Sequence, residues 1–258
     1  MVREANSLNN LDFQKMISEM KEKGVHFGHK RSRLHPRALS FTLKSSGEVN
    51  FINLEETVKG LEKATDFLKE IMKNNGKILL VGTSSGAKKK IKELAEKYNF
   101  PYVIERWLGG TLTNFRVLKE RINYLKELEN QREQNLWAKY TKKEQLKLEK
   151  NYQLLEKKFQ GLKIMENLPN ALLIVDPKLH ETAVIEAKKA KIPVVAILDN
   201  DDDPSLIDYP IPSNDSASSS IEYILGKIDE ALLEVHKRKI IQEGQRETET
   251  IEAEAETV

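Results

Sequence analysis

A parallel β-sheet wound with helices on both faces is the fold class this 258-residue chain predicts. Three observations predict it. Strand-like and helix-like segments alternate, which implies right-handed crossovers in a layered α/β domain. The strand-like runs are continuously apolar, as strands buried on both faces are. One charged helical stretch interrupts the alternation, which then resumes.

Taken in order, residues 9–22 place Leu11, Met16, Ile17 and Met20 on one side of an amphipathic helix. Residues 24–47 are basic and broken by Gly24, Gly28, Pro36 and Gly47, so they predict irregular structure. NFINL (50–54) predicts a strand, and Val58, Leu61, Thr65, Leu68 and Met72 then follow helical spacing. NNGK (74–77) stops that helix, as an Asn/Gly pair does at a C-terminus. KILLVG (77–82) and PYVIE (101–105) predict strands around a helix at AKKKIKELAEKY (87–98). NALLIVD (170–176) and IPVVAILD (192–199) predict strands around a helix at HETAVIEAKKA (180–190). SASSSIEYILGKIDEALLEVHKRK (216–239) contains a closing helix.

The interruption follows RWLGGTLTNF (106–115). Gly109 and Gly110 permit positive φ or close approach, and Thr113 or Asn114 can cap the helix that follows. Leu118, Ile122, Leu125 and Leu128 form one seam; Leu148, Tyr152, Leu155, Phe159 and Leu162 form another at heptad steps. Thr141 and Glu144 between them make a capping box that restarts a helix. The segment therefore predicts an antiparallel helical hairpin reaching roughly 30 Å from the body. The expected organisation is an α/β domain over residues 1–115 and 164–238 with a basic N-terminal extension, a hairpin over 116–163, and an acidic disordered tail over 239–258.

Composition narrows the function classes. The chain is 39% hydrophobic and 32% charged, with no run of apolar residues long enough to span a bilayer. MVREANSLNNLDF lacks the apolar core of a signal peptide, and cysteine is absent, so a reducing cytoplasm is the expectation. Net charge is only +2, but it is segregated. Residues 23–47 hold six Lys/Arg and no acid, whereas residues 243–258 hold six Glu and one Arg. A base-rich, acid-free segment points to a polyanion partner.

The chemistry-bearing motifs sort as follows. VGTSSGAKKK (81–90) lies between strand and helix, where phosphates bind, but only three residues separate Gly82 from Gly86 and Ala87 precedes Lys88, so the P-loop spacing is absent. Lys88, Lys89 and Lys90 oppose the helix dipole, which a polyanion or solvent would relieve. DNDDDP (199–204) could hold a cation or act as ordinary turn chemistry, and His26 and His29 would make a mixed site with Asp199 and Asp203 conceivable. GVHFGHKRSRLHPR (24–37) assembles no nucleophile–base set. Its Val25 and Phe27 are expected to anchor the loop while Lys30, Arg31, Arg33 and Arg37 point outward, an arrangement suited to phosphate and RNA backbone contacts. Arg106 and Trp107 could stack on a base or fix the angle of the hairpin.

GVHFGH, RWLGGTLTNF, LPNALLIVDP, IPVVAILDNDDDP and IDYPIPSND occur in the order and spacing of the small-subunit ribosomal protein 2 family. The resemblance runs from about Leu11 to Val235, and the hairpin resembles the bacterial form. It implies a flavodoxin-like domain with a coiled-coil insertion, bound to small-subunit rRNA at the junction of head and body. It also implies a role in seating small-subunit protein 1, proteins 3 and 5 as neighbours, and no catalysis. The chain departs from the family at Asn200-Asp201-Asp202, where many members read Thr-Asn before the Asp-Pro, and at Ser213 and Ser216, where many read Gly and Asp. No metal or cofactor is carried over.

The resulting expectation is a structural rRNA-binding protein whose contacts are Lys30, Arg31, Arg33, Arg37, Lys44, Lys88, Lys89, Arg106, Trp107 and Arg116. The alternatives are a nucleotide-dependent enzyme using Gly82, Thr83, Asp176 and Asp199, and an interaction scaffold built on the hairpin.

Overall fold

The structure, a computed structural model, describes the backbone of residues 2–43 and 48–255, and side chains within residues 12–43, 48–239 and 241. Its centre is a five-stranded, all-parallel sheet: β4 (Ile78–Val81), β5 (Tyr102–Val103), β6 (Ala171–Val175), β7 (Val194–Leu198) and β8 (Tyr209–Pro212), in the order β5-β4-β6-β7-β8. Counted from the first of these strands the order is 2-1-3-4-5, the flavodoxin-like doubly wound arrangement.

Every residue of β4, β6 and β7 is buried, and the pleat divides them between two cores. Ile78, Leu80, Leu173, Val195 and Ile197 enter the first. There they meet α1 (Val2–Glu22), α2 (Leu54–Lys73), α3 (Ser85–Tyr98) and α7 (Ser218–Ala255). Leu79, Val81, Leu172, Ile174, Val194 and Leu198 enter the second, with α6 (Glu181–Lys189) and the root of the hairpin. A sheet covered on both faces needs apolar residues at both parities, hence the unbroken runs.

Two features depart from expectation. β8 is absent from the alternation of elements read along the sequence, and its Pro210 and Pro212 lack amide donors. It forms nonetheless, at the sheet edge, where proline is tolerated. Gly60 lets α2 approach it: a Cβ there would collide with the Pro210 carbonyl oxygen. The basic stretch is also more regular than its glycines suggest. β1 (Phe27–Lys30) and β2 (Thr42–Leu43) flank β3 (Val49–Ile52) in a separate antiparallel sheet, joining the NFINL strand rather than leaving it with the parallel set.

The hairpin consists of α4 (Phe115–Glu133) and α5 (Lys142–Phe159). Leu118, Ile122, Leu125 and Leu128 are buried, as are Tyr152, Phe159 and Leu162, while Leu148 and Leu155 are partly buried against them. Thr141 and Glu144 form the reciprocal capping box. Arg132–Glu149 at 3.1 Å ties the two helices together, and Lys163, just past α5, pairs with Glu129 of α4 at 2.7 Å. The seam is no free-standing strip, because it belongs to the same apolar cluster as Leu172 and Ile174 of the sheet. At the C-terminus the expected disordered tail from 239 differs from the structure, where α7 continues as helix to Ala255.

Candidate nucleic-acid interface and the carboxylate pocket behind it

The basic stretch and the acidic DNDDDP turn, separate in sequence, form one site. Val25 is buried after the positive-φ turn at Gly24, and β1 then runs past the end of β7. The Asn200 side chain, fully buried, accepts from the His29 amide at 2.8 Å and donates to the His29 carbonyl at 3.3 Å. Gly28 lies so close that a Cβ would sit 2.8 Å from Asn200 Nδ2. The His35 amide donates to the Asn200 carbonyl at 2.9 Å, and Arg37 Nη1 pairs with Asp203 Oδ2 at 2.9 Å. The acids of the turn thus hold the basic segment against the sheet ends while Lys30, Arg31, Arg33 and Arg37 stay exposed.

Of these four, Lys30 pairs with Glu48 at 3.5 Å and Arg37 with Asp203. Arg31 and Arg33 have no ion pair among the described residues. Lys44 lies outside the described residues. The remaining expected contacts sit on other elements. Lys88 is partly buried on α3 and pairs with Glu105 at 3.3 Å, and Lys89 beside it is exposed. Arg106 is exposed in the β5–α4 connection, and Arg116 pairs with Glu120 on α4 at 3.3 Å.

Two expectations are corrected. Phe27 does not anchor the loop: it is 47% exposed on the outer face of the small sheet. Trp107 is buried, and its indole N–H donates to Glu186 Oε1 at 3.1 Å, so its ring is not available for base stacking. Glu186, buried on α6, also accepts from the amides of Gly110 (2.8 Å), Leu112 (2.9 Å) and Thr113 (3.2 Å), and from the Thr113 hydroxyl at 3.2 Å. Burial pushes its carboxyl up, but the bonds from Leu112, Gly110, Trp107 and Thr113 outweigh this and hold it below the usual range. This one carboxylate fixes the loop from which the hairpin leaves. Thr113 therefore spends its hydroxyl on Glu186, and Asn114 occupies the N-cap position without a side-chain cap bond. Its sequence signal is an acid on the Ala183/Ala187 face, which is otherwise buried and apolar.

Beneath the basic rim, Asp176, Asp202 and Asp215 bring one carboxylate oxygen each to within 4.8 Å of one another. Asp199 lies at the same strand ends and contacts His29 Nδ1 at 3.0 Å. Burial, then mutual repulsion, pushes Asp215 up to about 9. Asp202 rises to about 7 for the same first reason, although the Asp199 amide donates to it at 2.9 Å. Asp176 and Asp199 are raised as well, again chiefly by burial. Such a pocket keeps a proton at neutral pH. Its all-oxygen set could instead hold a hard divalent cation. Of the mixed set suggested by sequence, His29 and Asp199 come together, while His26 stacks with Phe51 and Asp203 is engaged by Arg37.

The strand ends also speak against nucleotide chemistry. A Cβ at Gly82 would meet Ala87 and Ile91 at 2.9 and 3.0 Å, so this glycine serves helix–strand packing. Thr83 Oγ1 faces His180 Nε2 at 3.4 Å, and burial pushes the His180 imidazole down to about 4, leaving it neutral. Among the described residues no helix is long and apolar enough to cross a membrane.

The family described as Ribosomal protein S2 matches residues 20–235. Among curated relatives, the small ribosomal subunit protein uS2 of Roseiflexus sp. (strain RS-1) is 42% identical over 228 residues, covering 88% of this chain and 87% of the relative. The uS2 of Roseiflexus castenholzii (strain DSM 13941 / HLO8) matches with the same identity and coverage. These matches span the α/β domain, the basic segment, the acidic turn and the hairpin. The chain belongs to the ribosomal protein S2 family, whose members are structural, non-enzymatic parts of the small ribosomal subunit.

Proposed function

We propose that the chain binds small-subunit rRNA through the rim formed by Lys30, Arg31, Arg33 and Arg37, at the junction of the subunit's head and body. Lys89, Arg106 and Arg116 supply further phosphate contacts, with Lys88 available on exchange of its Glu105 partner. The observation that carries this reading is the mounting of the rim: four exposed cations on a short segment stapled to the sheet ends by Asn200 and Asp203. Exposed pairs such as Lys30–Glu48 hold little energy, so exchanging the acid for a phosphate costs little. Contacts of this kind set register on RNA shape and read little sequence.

On this reading the hairpin beyond Arg116, at its root, meets protein rather than RNA. The chain as a whole neighbours small-subunit proteins 3 and 5 and helps to seat protein 1, in a ribosome of the cytoplasm. Deleting the whole hairpin would also strip one core of its Leu118–Leu128 seam, so exposed positions such as Leu146 and Leu154 are the informative ones to change.

The test replaces Lys30, Arg31, Arg33 and Arg37 together by Ala. Incorporation into small subunits should weaken. The slope of log affinity against log salt should flatten by roughly 0.7–0.9 for each phosphate that no longer meets a cation. Unchanged incorporation with an unchanged slope would remove the rim from the RNA interface.

A further inference from the structure

β1, β3 and β2 form a sheet with one face against the body and the other exposed among the described residues. Gly28 abuts Asn200, and Asn50 and Ile52 are buried, on the inner side. On the outer side the register places Phe27 opposite Phe51 and Phe51 opposite Leu43, one row across all three strands. These side chains are 47%, 37% and 49% exposed. The His26 ring joins them, 4.1 Å from Phe27 and 5.7 Å from Phe51 at an interplanar angle of 24°, and the two phenyl rings are 5.9 Å apart. The surroundings are cationic. Lys30 and Arg31 leave the end of β1, Lys21 lies near His26, and Glu48 is the acid at that edge, paired with Lys30. Two of the three strands come from the segment of six Lys/Arg and no acid.

We propose that this outer face is a stacking platform for unpaired RNA bases, with Phe27 and Phe51 as the rings and Lys30 and Arg31 as backbone contacts. It rests on the rRNA-binding reading and adds a second mode to it. Aromatic rings on an exposed sheet, rimmed by cations, suit single-stranded RNA because every base offers a π-face and every linkage a negative charge. A protein partner would instead favour an interface core depleted of charge. Burial, and then Lys21, push the His26 imidazole down, which favours the neutral ring beside the phenyls.

The experiment uses the full chain and two probes, a single-stranded RNA carrying one 2-aminopurine and a fully paired RNA duplex. Wild type should quench the 2-aminopurine. The Phe27→Leu/Phe51→Leu variant, which keeps apolar volume but removes both rings, should lose the quench and bind the single strand at least ten-fold more weakly. Its duplex affinity and thermal midpoint should match wild type. Equal quenching by both proteins overturns the platform, as does wild-type duplex binding without any quench. If the variant binds the single strand normally but fails to retain a neighbouring ribosomal protein, the face is a protein surface and the platform falls. Failure of wild type to bind either RNA would instead strike the rRNA-binding reading itself.

Discussion

In the five-stranded sheet β4, β6 and β7 bury every residue, whereas β3 of the small sheet alternates, with Asn50 and Ile52 inside and Val49 and Phe51 outside. Helices and the hairpin root cover both faces of the first sheet; only the body covers one face of the second. The first is a scaffold whose residues answer to packing. The second sits at its lip, tethered by polar contacts through Asn200 and Asp203, and presents rings and cations outward. One chain thus separates the residues that hold the fold from those free to meet a partner.

The sharpest way to break this contrast is to truncate the same kind of apolar group in each sheet. Leu173→Ala, in the centre of β6, should destabilise by about 2–5 kcal/mol in urea unfolding. Phe51→Ala should cost only about 0.2–1 kcal/mol, the scale of a cross-strand pair. Equal losses would mean the small sheet is as much core as the large one.

The carboxylate pocket at the ends of the parallel strands gives a pH test, measured in EDTA. Asp215 and Asp202 have folded-state values of about 9 and 7, above their ordinary value of 3.8. In the folded state this pocket therefore holds more protons than in the unfolded chain, and its contribution to stability falls as pH rises from about 4 through 7 to 9. Asp215→Asn should flatten that fall and raise the thermal midpoint most above pH 7. A difference in midpoint between Asp215→Asn and wild type that does not grow with pH would contradict the pocket's electrostatics.

Smaller effects sharpen the comparison. Glu186→Gln weakens a five-bond clamp and should cost about 1.5–3 kcal/mol, with early loss of amide protection over residues 107–113. Asn200→Ala removes two bonds to His29 and should cost about 1–3 kcal/mol, releasing amide protection in β1 and β3 before the parallel sheet. Lys30→Ala should change stability by less than about 1 kcal/mol, since its Glu48 pair is exposed.

The alternation of apolar runs and helical periods predicts β4, β6, β7 and the helices between them because burial on two faces leaves a local mark at every residue. The Thr141 box and the Leu118–Leu128 seam are likewise local patterns that the structure contains. β8 and the small sheet are less legible. Prolines and glycines usually end strands, and their tolerance here depends on an edge position and on a neighbour's approach, neither of which is local.

By itself, then, the sequence determined the fold class, the helical periods of α4 and α5 and the concentration of cations over 23–47, since periodicity and composition act within a few residues of one another. Only the tertiary structure decided that Phe27 faces out while Trp107 faces in. It alone gave Glu186 its place as the hairpin's clamp, and brought Asp176, Asp202 and Asp215 together under the basic rim. Those outcomes depend on which distant backbone fills one side of a residue, and crossover topology sets that.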